Sequence, residues 1–400
     1  MSYRSFAAVA TLFYDEFPKK AFARKLWTQQ FVSECVRYAV SILDSGNIPA
    51  ALPIQQLKDL AIAKCDAQIG VRWHYLPVFL FRDSLASSFD IGPVQFLKGD
   101  EVANFARNHG TGNEKPRVGD DELKRLVDND WIAAVEIPNA DMEVGHLRAK
   151  RIVKLAVMGI DLLTGNDDCP MKIRVVDELV PAAHIQRFSE KNGVFAVGHS
   201  KFIGAVGWEP GFVAEFLRES DEFFRWLGES LHAYCDPSKA IHPQMREKWL
   251  SSLFWYGLAR DELDDFAAVV NYGAALDTAL GEGNGVPDIT KFLSVLVDIK
   301  ADSIFVKNPE LTLHQAVEAV YGEGRSKVLH GGIPTLSSDF AFIRGLGQVM
   351  TQIALYELVP RLSKYIVKYK HDNWSAFRKS VIRSAVPRAR GNPVHSSGAE

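Results

Sequence analysis

The chain has 400 residues, which is enough for two domains, or three small ones, that each bury a core of their own. Hydrophobic residues make up 47% and charged residues 24% of the chain, a composition that is typical of a globular protein and excludes a wholly disordered one. The formal net charge of −3 gives the chain as a whole no excess of positive charge for binding a polyanion.

The first third of the chain predicts a mixture of helices and strands. Apolar residues recur at three- and four-residue steps over Ala21–Leu43, which is typical of an amphipathic helix, and a second helix is predicted over Ile54–Ala67. Aromatic and β-branched residues favour strands over Val71–Phe81 and over Phe89–Leu97, the second with a turn at Gly92-Pro93.

Strand and helix patterns also alternate in the middle third. After a polar, glycine-rich stretch at residues 108–122, where we expect a loop, Trp131–Ile137 predicts a strand and Val144–Leu163 a helix. Three short strand-like stretches follow, at Ala183–Phe188, Val194–Val197 and Phe202–Val206. We therefore predict a mixed α+β domain over residues 1–238. It contains no recognisable catalytic constellation, and we hypothesise that it senses a signal or restrains the rest of the chain.

The pattern changes after the two prolines of Cys235–Pro243, because almost every later segment has helical periodicity. The predicted helices are Gln244–Ala259, Asp261–Leu280, a helix from Pro287 through Ile299, Thr312–Val320, Asp339–Lys370 and Trp374–Ser384. We predict an all-α helical bundle over residues 239–385 and a disordered tail over residues 386–400. The predicted fold is an α+β region followed by an all-helical domain.

Cysteine usage and the lack of long apolar runs predict a cytoplasmic protein with no membrane partner. The four cysteines are scattered without CxxC spacing, which argues against a disulfide framework or a zinc site. The N-terminus lacks the charged start and unbroken apolar run of a signal peptide, and no apolar stretch reaches the ~18 residues of a membrane span. We expect neither a metal nor a cofactor.

One short motif lies between the fourth and fifth helices of the predicted bundle. The segment Ala319–Pro334, AVYGEGRSKVLHGGIP, contains Arg325 and His330 with four residues between them, followed at once by Gly331-Gly332. This motif and the order of helices around it resemble the HEPN superfamily, and especially its Apea-like branch, whose members have an Arg-x(4–6)-His signature in an all-helical domain. The resemblance covers Gln244–Ser384 and does not account for the α+β region.

The resemblance implies a metal-independent endoribonuclease with Arg325 and His330 as its catalytic pair. It also implies a homodimer in which two copies of the motif meet in one cleft, and it makes Asp277 the acidic residue that often accompanies the motif from the second helix. Many members are toxins or antiviral effectors of abortive infection, so we expect an RNA substrate and a protein partner that neutralises or activates the chain. Gly332 stands where some HEPN toxins have a modifiable tyrosine, so that form of control is not implied.

The chemistry of RNA cleavage suits these two side chains. RNA carries its own nucleophile, the 2′-hydroxyl, so an enzyme must remove its proton, stabilise the phosphorane and protonate the leaving oxygen. The ordinary pKa of histidine lies near neutral pH, and arginine offers a permanently charged planar fork that matches two phosphate oxygens. Beside the pair, Ser326 could support the site through a hydrogen bond or begin a helix, and Lys327 could bind RNA phosphate or remain a solvated surface lysine.

The spacing of the motif leaves two arrangements open. Residues five apart on an ideal helix differ by about 140° around its axis, so Arg325 and His330 converge only if the helix breaks at Gly331-Gly332 or a second chain completes the site. We favour the dimer, because a two-fold interface brings each patch to its own copy. The alternative function is a catalytically inactive HEPN dimerisation or RNA-binding scaffold, in which Arg325 pairs with an acid such as Glu323 and His330 caps a short helix.

Overall fold

The computed structural model describes residues 70–82, 85–108, 130–140, 142–164, 173–175, 184–191, 194–201, 206–207, 210–332 and 339–385. The chain divides into two compact units, Met1–Ile160 with Met171–Ser220 and Asp161–Pro170 with Asp221–Glu400. No helix in the described ranges is long and apolar enough to cross a membrane. The predicted helices Ala21–Leu43 and Ile54–Ala67, all but the first residue of the predicted loop at 108–122, and the tail 386–400 lie outside the described residues.

A five-stranded antiparallel sheet forms the centre of the first unit. Its first strands in chain order are β1 (Gly70–Phe79), the short β2 (Phe81–Arg82), β3 (Phe89–Ile91), β4 (Val94–Lys98), β5 (Trp131–Ala140) and β6 (Arg174–Val175). All but β2 pair in the order β3-β4-β5-β1-β6, and each neighbouring pair is antiparallel. The predicted turn at Gly92-Pro93 is confirmed, since it joins β3 to β4 and Gly92 has a φ of 57° that glycine adopts without strain.

Helices and shorter strands complete the described part of the first unit. They are α1 (Gly99–Asn108), α2 (Met142–Thr164), β7 (His184–Lys191), β8 (Val194–Lys201), β9 (Val206–Gly207) and α3 (Phe212–Glu219). Five consecutive residues of β5, Trp131 to Val135, are buried; because successive side chains of a strand point to opposite faces, both faces of the sheet are covered there. Val102 of α1 packs with Ile132 and Ala134 on one of those faces.

The second unit is mostly helical. In chain order its described elements are α4 (Asp221–Cys235), α5 (Pro243–Asp261), α6 (Asp265–Leu280), α7 (Val286–Val297), β10 (Ile304–Lys307), β11 (Glu310–Thr312), α8 (Leu313–Val317), a π-helix (Glu318–Lys327), α9 (Ala341–Lys368) and α10 (Trp374–Ala385). The predicted succession of helices is confirmed. The sequence did not predict the β10–β11 hairpin, α3, α4 or the π-helix that extends α8.

The core of the second unit lies where α6 packs against α5 and α9. Trp249 of α5 and Tyr272 of α6 are wholly buried, and the indole Nε1 of Trp249 donates to the carbonyl of Leu355 on α9 at 3.2 Å. The Ser252 hydroxyl donates to the carbonyl of Ala275 at 2.8 Å. These bonds satisfy polar atoms that burial removes from water, and they fix α6, the helix that faces the motif.

The structure groups α4 with the second unit, whereas the sequence grouped it with residues 1–238. Aromatic packing explains the grouping. The rings of Phe223 and Trp226 on α4 lie 5.8 and 6.3 Å from the ring of Trp249 on α5. Large aromatic side chains contribute much of the apolar area that a core buries, so α4 belongs with the helix that it covers.

Candidate functional site

The motif begins on a helix whose start is well defined. Thr312 caps α8: its hydroxyl accepts a hydrogen bond from the Gln315 backbone N–H at 3.2 Å, while the Gln315 side chain accepts one from the Thr312 N–H at 2.9 Å. This reciprocal capping box satisfies two N–H groups that the first turn of a helix leaves unpaired. The helix then widens into the π-helix Glu318–Lys327, a rare conformation that often occurs at functional sites.

Two glycines allow the π-helix to lie close to α6. A Cβ added at Gly324 would overlap Cγ1 of Val269, and one added at Gly273 would lie 2.6 Å from Cβ of Arg325. Real Cβ atoms essentially never show contacts this close, so the approach of the two helices depends on glycine at both positions. The stem of Arg325 therefore lies directly on the backbone of α6.

The Arg325 guanidinium contacts two side chains. Its Nη1 donates a hydrogen bond to the Tyr321 hydroxyl at 2.9 Å, and its Cζ lies 5.0 Å from the centre of the Tyr321 ring. Its Nη2 forms an ion pair with Oδ2 of Asp277 at 3.3 Å. About a quarter of each charged side chain is exposed, 26% for Arg325 and 29% for Asp277, so solvent and solutes can reach the pair.

Asp277 is the predicted acidic residue, and the structure brings it to Arg325. It lies in the last turn of α6, where its backbone carbonyl accepts the Gly281 N–H at 2.8 Å. A second cation, Lys248, lies near this carboxylate. The pKa of Lys248 on α5 is lowered by burial and by the nearby Arg378, against the opposing effect of Asp277 and Glu282. Arg325 and Lys248 thus both lie near Asp277.

His330 lies where the helix ends. Gly331 has a φ of 68°, and its N–H donates to the Val328 carbonyl at 3.1 Å, while the Gly332 N–H donates to the Lys327 carbonyl at 2.7 Å. This pair of bonds is a Schellman motif, and His330 is the residue before its left-handed glycine. His330 is exposed, and its imidazole has no hydrogen-bond or ion-pair partner among the residues that the structure describes.

The two signature residues occupy different positions in the motif helix. The Arg325 guanidinium reaches back to Tyr321, four residues towards the N-terminus, whereas His330 stands at the C-terminal end, where the helix stops. In the described part of the chain no hydrogen bond or ion pair joins them. The predicted break at Gly331-Gly332 is present, and it comes directly after His330.

The neighbouring side chains favour local roles. Lys327 forms an ion pair with Glu323 at 2.9 Å, and this hydrogen bond raises the pKa of Lys327 above its ordinary value. Glu323 is therefore the partner of Lys327, and Arg325 pairs with Asp277 instead. The backbone carbonyl of Ser326 accepts the His330 N–H at 3.1 Å, inside the helix and not at its start.

Sequence reasoning did not identify Tyr321 or Gly273 as members of this site. The available signal was the spacing of Tyr321 and Arg325, because residues four apart are neighbours on a helix surface. Gly273 gave no local signal, since its importance comes from the approach of a segment far along the chain.

The chain was compared with protein-family models, with curated proteins and with solved structures, and it matches none of them.

Proposed function

We propose that this chain is a metal-independent endoribonuclease of the HEPN type, acting as a growth-arresting effector in antiviral defence or a toxin system. The observation that carries the proposal is the accessible Arg325 guanidinium, which is oriented by Tyr321 and Asp277 and has an exposed imidazole five residues further along the same helical segment. The defence role rests on the resemblance of the motif to that superfamily. The cleavage chemistry rests on the two side chains themselves.

Each side chain has one task in the proposed reaction. The Arg325 guanidinium binds non-bridging oxygens of the phosphate, where negative charge increases in the phosphorane. An imidazole takes the proton of the 2′-hydroxyl as its oxygen attacks phosphorus, and the bond from phosphorus to the 5′-oxygen breaks as that oxygen receives a proton. The products are a 2′,3′-cyclic phosphate and a 5′-hydroxyl. The imidazolium that forms returns its proton to the 5′-oxygen, so one imidazole in each site completes the sequence.

A homodimer is the second part of the proposal. Within the described chain the partners of Arg325 are Tyr321 and Asp277 and not His330, and we propose that the Arg325 of one chain and the His330 of another face the same phosphate. A two-fold axis near the motif builds two such composite sites at once, because every contact across such an interface occurs twice. The exposure of His330 and of Leu329, at 60%, supports a contact between chains at this end of the helix.

Alanine substitution of the two signature residues tests the proposal. We expect Arg325→Ala and His330→Ala each to reduce cleavage of a mixed RNA pool by at least about a hundredfold, because each removes a charge or a proton carrier from the transition state. Thermal unfolding should change little, since both side chains are partly or fully exposed. We also expect cells to grow better the more RNA cleavage activity the expressed variant has lost.

Matched controls come from the same unit. Arg383 on α10 and His371 before it are also exposed, and Arg383→Ala and His371→Ala should leave cleavage unchanged. If wild-type protein cleaves no RNA, or if the signature variants cleave as well as the controls, the endoribonuclease proposal fails.

A non-catalytic RNA-binding or dimerisation scaffold is the competing function. The observation that favours it is the combination of an Arg325 that already has a carboxylate partner with a His330 at the C-cap of a helix. This function predicts that wild-type protein binds RNA or forms a dimer but yields no cyclic phosphate ends. Sequencing of RNA termini after incubation separates the two functions.

A further inference from the structure

Tyr321 contacts Arg325 in two ways at once. Its hydroxyl accepts a hydrogen bond from Nη1 at 2.9 Å, and its ring lies beside the guanidinium, with 5.0 Å between Cζ and the ring centre. The hydrogen bond fixes one edge of the guanidinium, and the ring face fixes its plane. An arginine has five N–H groups; of those of Arg325, one donates this hydrogen bond and Nη2 forms the ion pair with Asp277, which leaves further N–H groups for a ligand.

Two glycines from separate segments make room for this pair. The first is Gly273 of α6, on which the Arg325 stem lies. The second is Gly285, the residue before α7, whose φ is +66° and where an added Cβ would lie 3.2 Å from Cε1 of Tyr321. The Tyr321 ring and the Arg325 stem are thus each held against the backbone of an element distant in sequence. A surface pair within one helix needs no such support.

We infer that Tyr321 is a positioning residue that orients the Arg325 guanidinium for a phosphate of RNA. The identity of the ligand rests on the proposed function, whereas the orientation of Arg325 does not. A free arginine side chain has many conformations and loses them on binding, so an arginine that is already oriented contributes more to the transition state. The ion pair with Asp277 orients Nη2 in the same way. The negative charge of Asp277 repels an anionic ligand, however, whereas the neutral Tyr321 hydroxyl does not.

The variant Tyr321→Phe tests the inference with little change in packing, since it keeps the ring and removes the hydroxyl. We expect kcat for RNA cleavage to fall about tenfold with a smaller increase in KM and an unchanged melting temperature. Tyr356→Phe is the matched control, because Tyr356 is also on a helix of this unit and 51% exposed. Its kcat should equal that of the wild type.

A double-mutant cycle shows whether Tyr321 acts through Arg325. In an Arg325→Lys background, which keeps the charge but loses the planar fork, Tyr321→Phe should have almost no further effect on kcat. A reduction in that background as large as in the wild type would mean an independent role and overturn the inference. An unchanged kcat in the single variant would overturn it too.

The inference and the proposed function can fail separately. A fully 2′-O-methylated RNA lacks the nucleophile, so its dissociation constant reports phosphate binding alone. If wild-type protein cleaves no RNA, but Tyr321→Phe and Arg325→Ala both weaken binding of this RNA and Arg325→Ala also reduces its salt dependence, the nuclease proposal fails and the positioning role of Tyr321 stands. If wild-type protein cleaves RNA and Tyr321→Phe matches it in cleavage and in binding, the nuclease proposal stands and the positioning role fails.

Discussion

Arg325 contacts two separate parts of the fold through side-chain and backbone atoms. Tyr321 belongs to its own π-helix, and Asp277 and Gly273 belong to α6. Partly exposed ion pairs contribute about 0–1 kcal/mol to stability, so the pair with Asp277 matters more for the direction of the guanidinium than for folding. At the scale of residues, Arg325 is therefore a cation that its neighbours orient and that stays partly open to solvent.

The sequence predicted only part of this residue-level picture. The resemblance of the motif to a family predicted Asp277 as a member of the site, and the structure places its carboxylate 3.3 Å from the Arg325 guanidinium. Tyr321 lies one helical turn from Arg325, yet many tyrosines stand four residues from an arginine without forming a site. What distinguishes this one is the space left by Gly273 and Gly285, and that space exists only after distant segments have packed.

A buried histidine of the first unit gives a prediction about acid stability. Burial, together with the nearby His146 and Arg72, lowers the pKa of His74 from 6.5 to about 4, and its Nε2 has no hydrogen-bond partner in the described structure. Below pH 6.5 the unfolded chain takes up a proton at His74 that the folded chain refuses until about pH 4. The free energy of unfolding therefore decreases as the pH falls through this window.

Replacing this side chain should remove that contribution. We expect the variant His74→Phe to lose less stability than the wild type between neutral pH and about pH 4.5, by on the order of 1 kcal/mol after allowance for solvent screening. Urea unfolding at both pH values measures the difference. His371→Phe, at an exposed position of the second unit, should follow the wild type; an equal pH dependence in all three proteins would contradict the prediction.

At the scale of elements, the end of the motif helix depends on one glycine more than on its neighbour. Gly331 has a φ of 68°, in the left-handed region that costs other residues about 1 kcal/mol. Gly332 has no positive φ, and a Cβ there would meet Lys327 atoms at 3.4 Å or more. We expect Gly331→Ala to reduce the free energy of unfolding by about 1 kcal/mol and Gly332→Ala to reduce it by less than half as much.

Equilibrium urea unfolding of the two alanine variants provides the measurement. Because the adjacent positions share the same surroundings, each variant is the control for the other. Equal losses of stability, or a larger loss at Gly332, would show that the Schellman geometry does not determine where this helix ends.

The π-helix was the element that the sequence predicted least well. Apolar spacing predicted a helix over Thr312–Val320 and nothing regular through the glycines that follow. The structure continues the helix to Lys327 in a wider form, with Gly324 against Val269 of α6. Glycine destabilises an isolated helix, so local propensity indicated an end here; the close contact between two helices reverses that preference, and such a contact is invisible to a local pattern.

At the scale of the whole molecule, a subunit-mixing experiment tests the proposed dimer. A site that combines the Arg325 of one chain with the His330 of another can be rebuilt from two inactive proteins. When equal amounts of Arg325→Ala and His330→Ala protein are dissociated and allowed to reassociate at random, half of the dimers are mixed and each has one intact site. We expect about a quarter of the wild-type cleavage rate to return.

The controls for this experiment are each variant mixed with itself, which should stay inactive. A site contained within one chain predicts no recovery in any mixture, because every chain then lacks one member of the pair. Sedimentation of the wild type at the assay concentration shows whether dimers are present at all. Recovery without dimers would contradict the two-fold arrangement.

The sequence by itself determined the succession of elements: an α+β region, then helices, with a short Arg-x4-His motif before the longest helix. These features follow from periodicity and composition, which are local properties of a chain. Only the tertiary structure decided that α4 belongs with the second unit, that Asp277 and Tyr321 orient Arg325, and that the helix continues as a π-helix through Gly322 and Gly324. Each of these depends on contacts between residues far apart along the chain or on the backbone conformation that packing selects, and no local pattern encodes them.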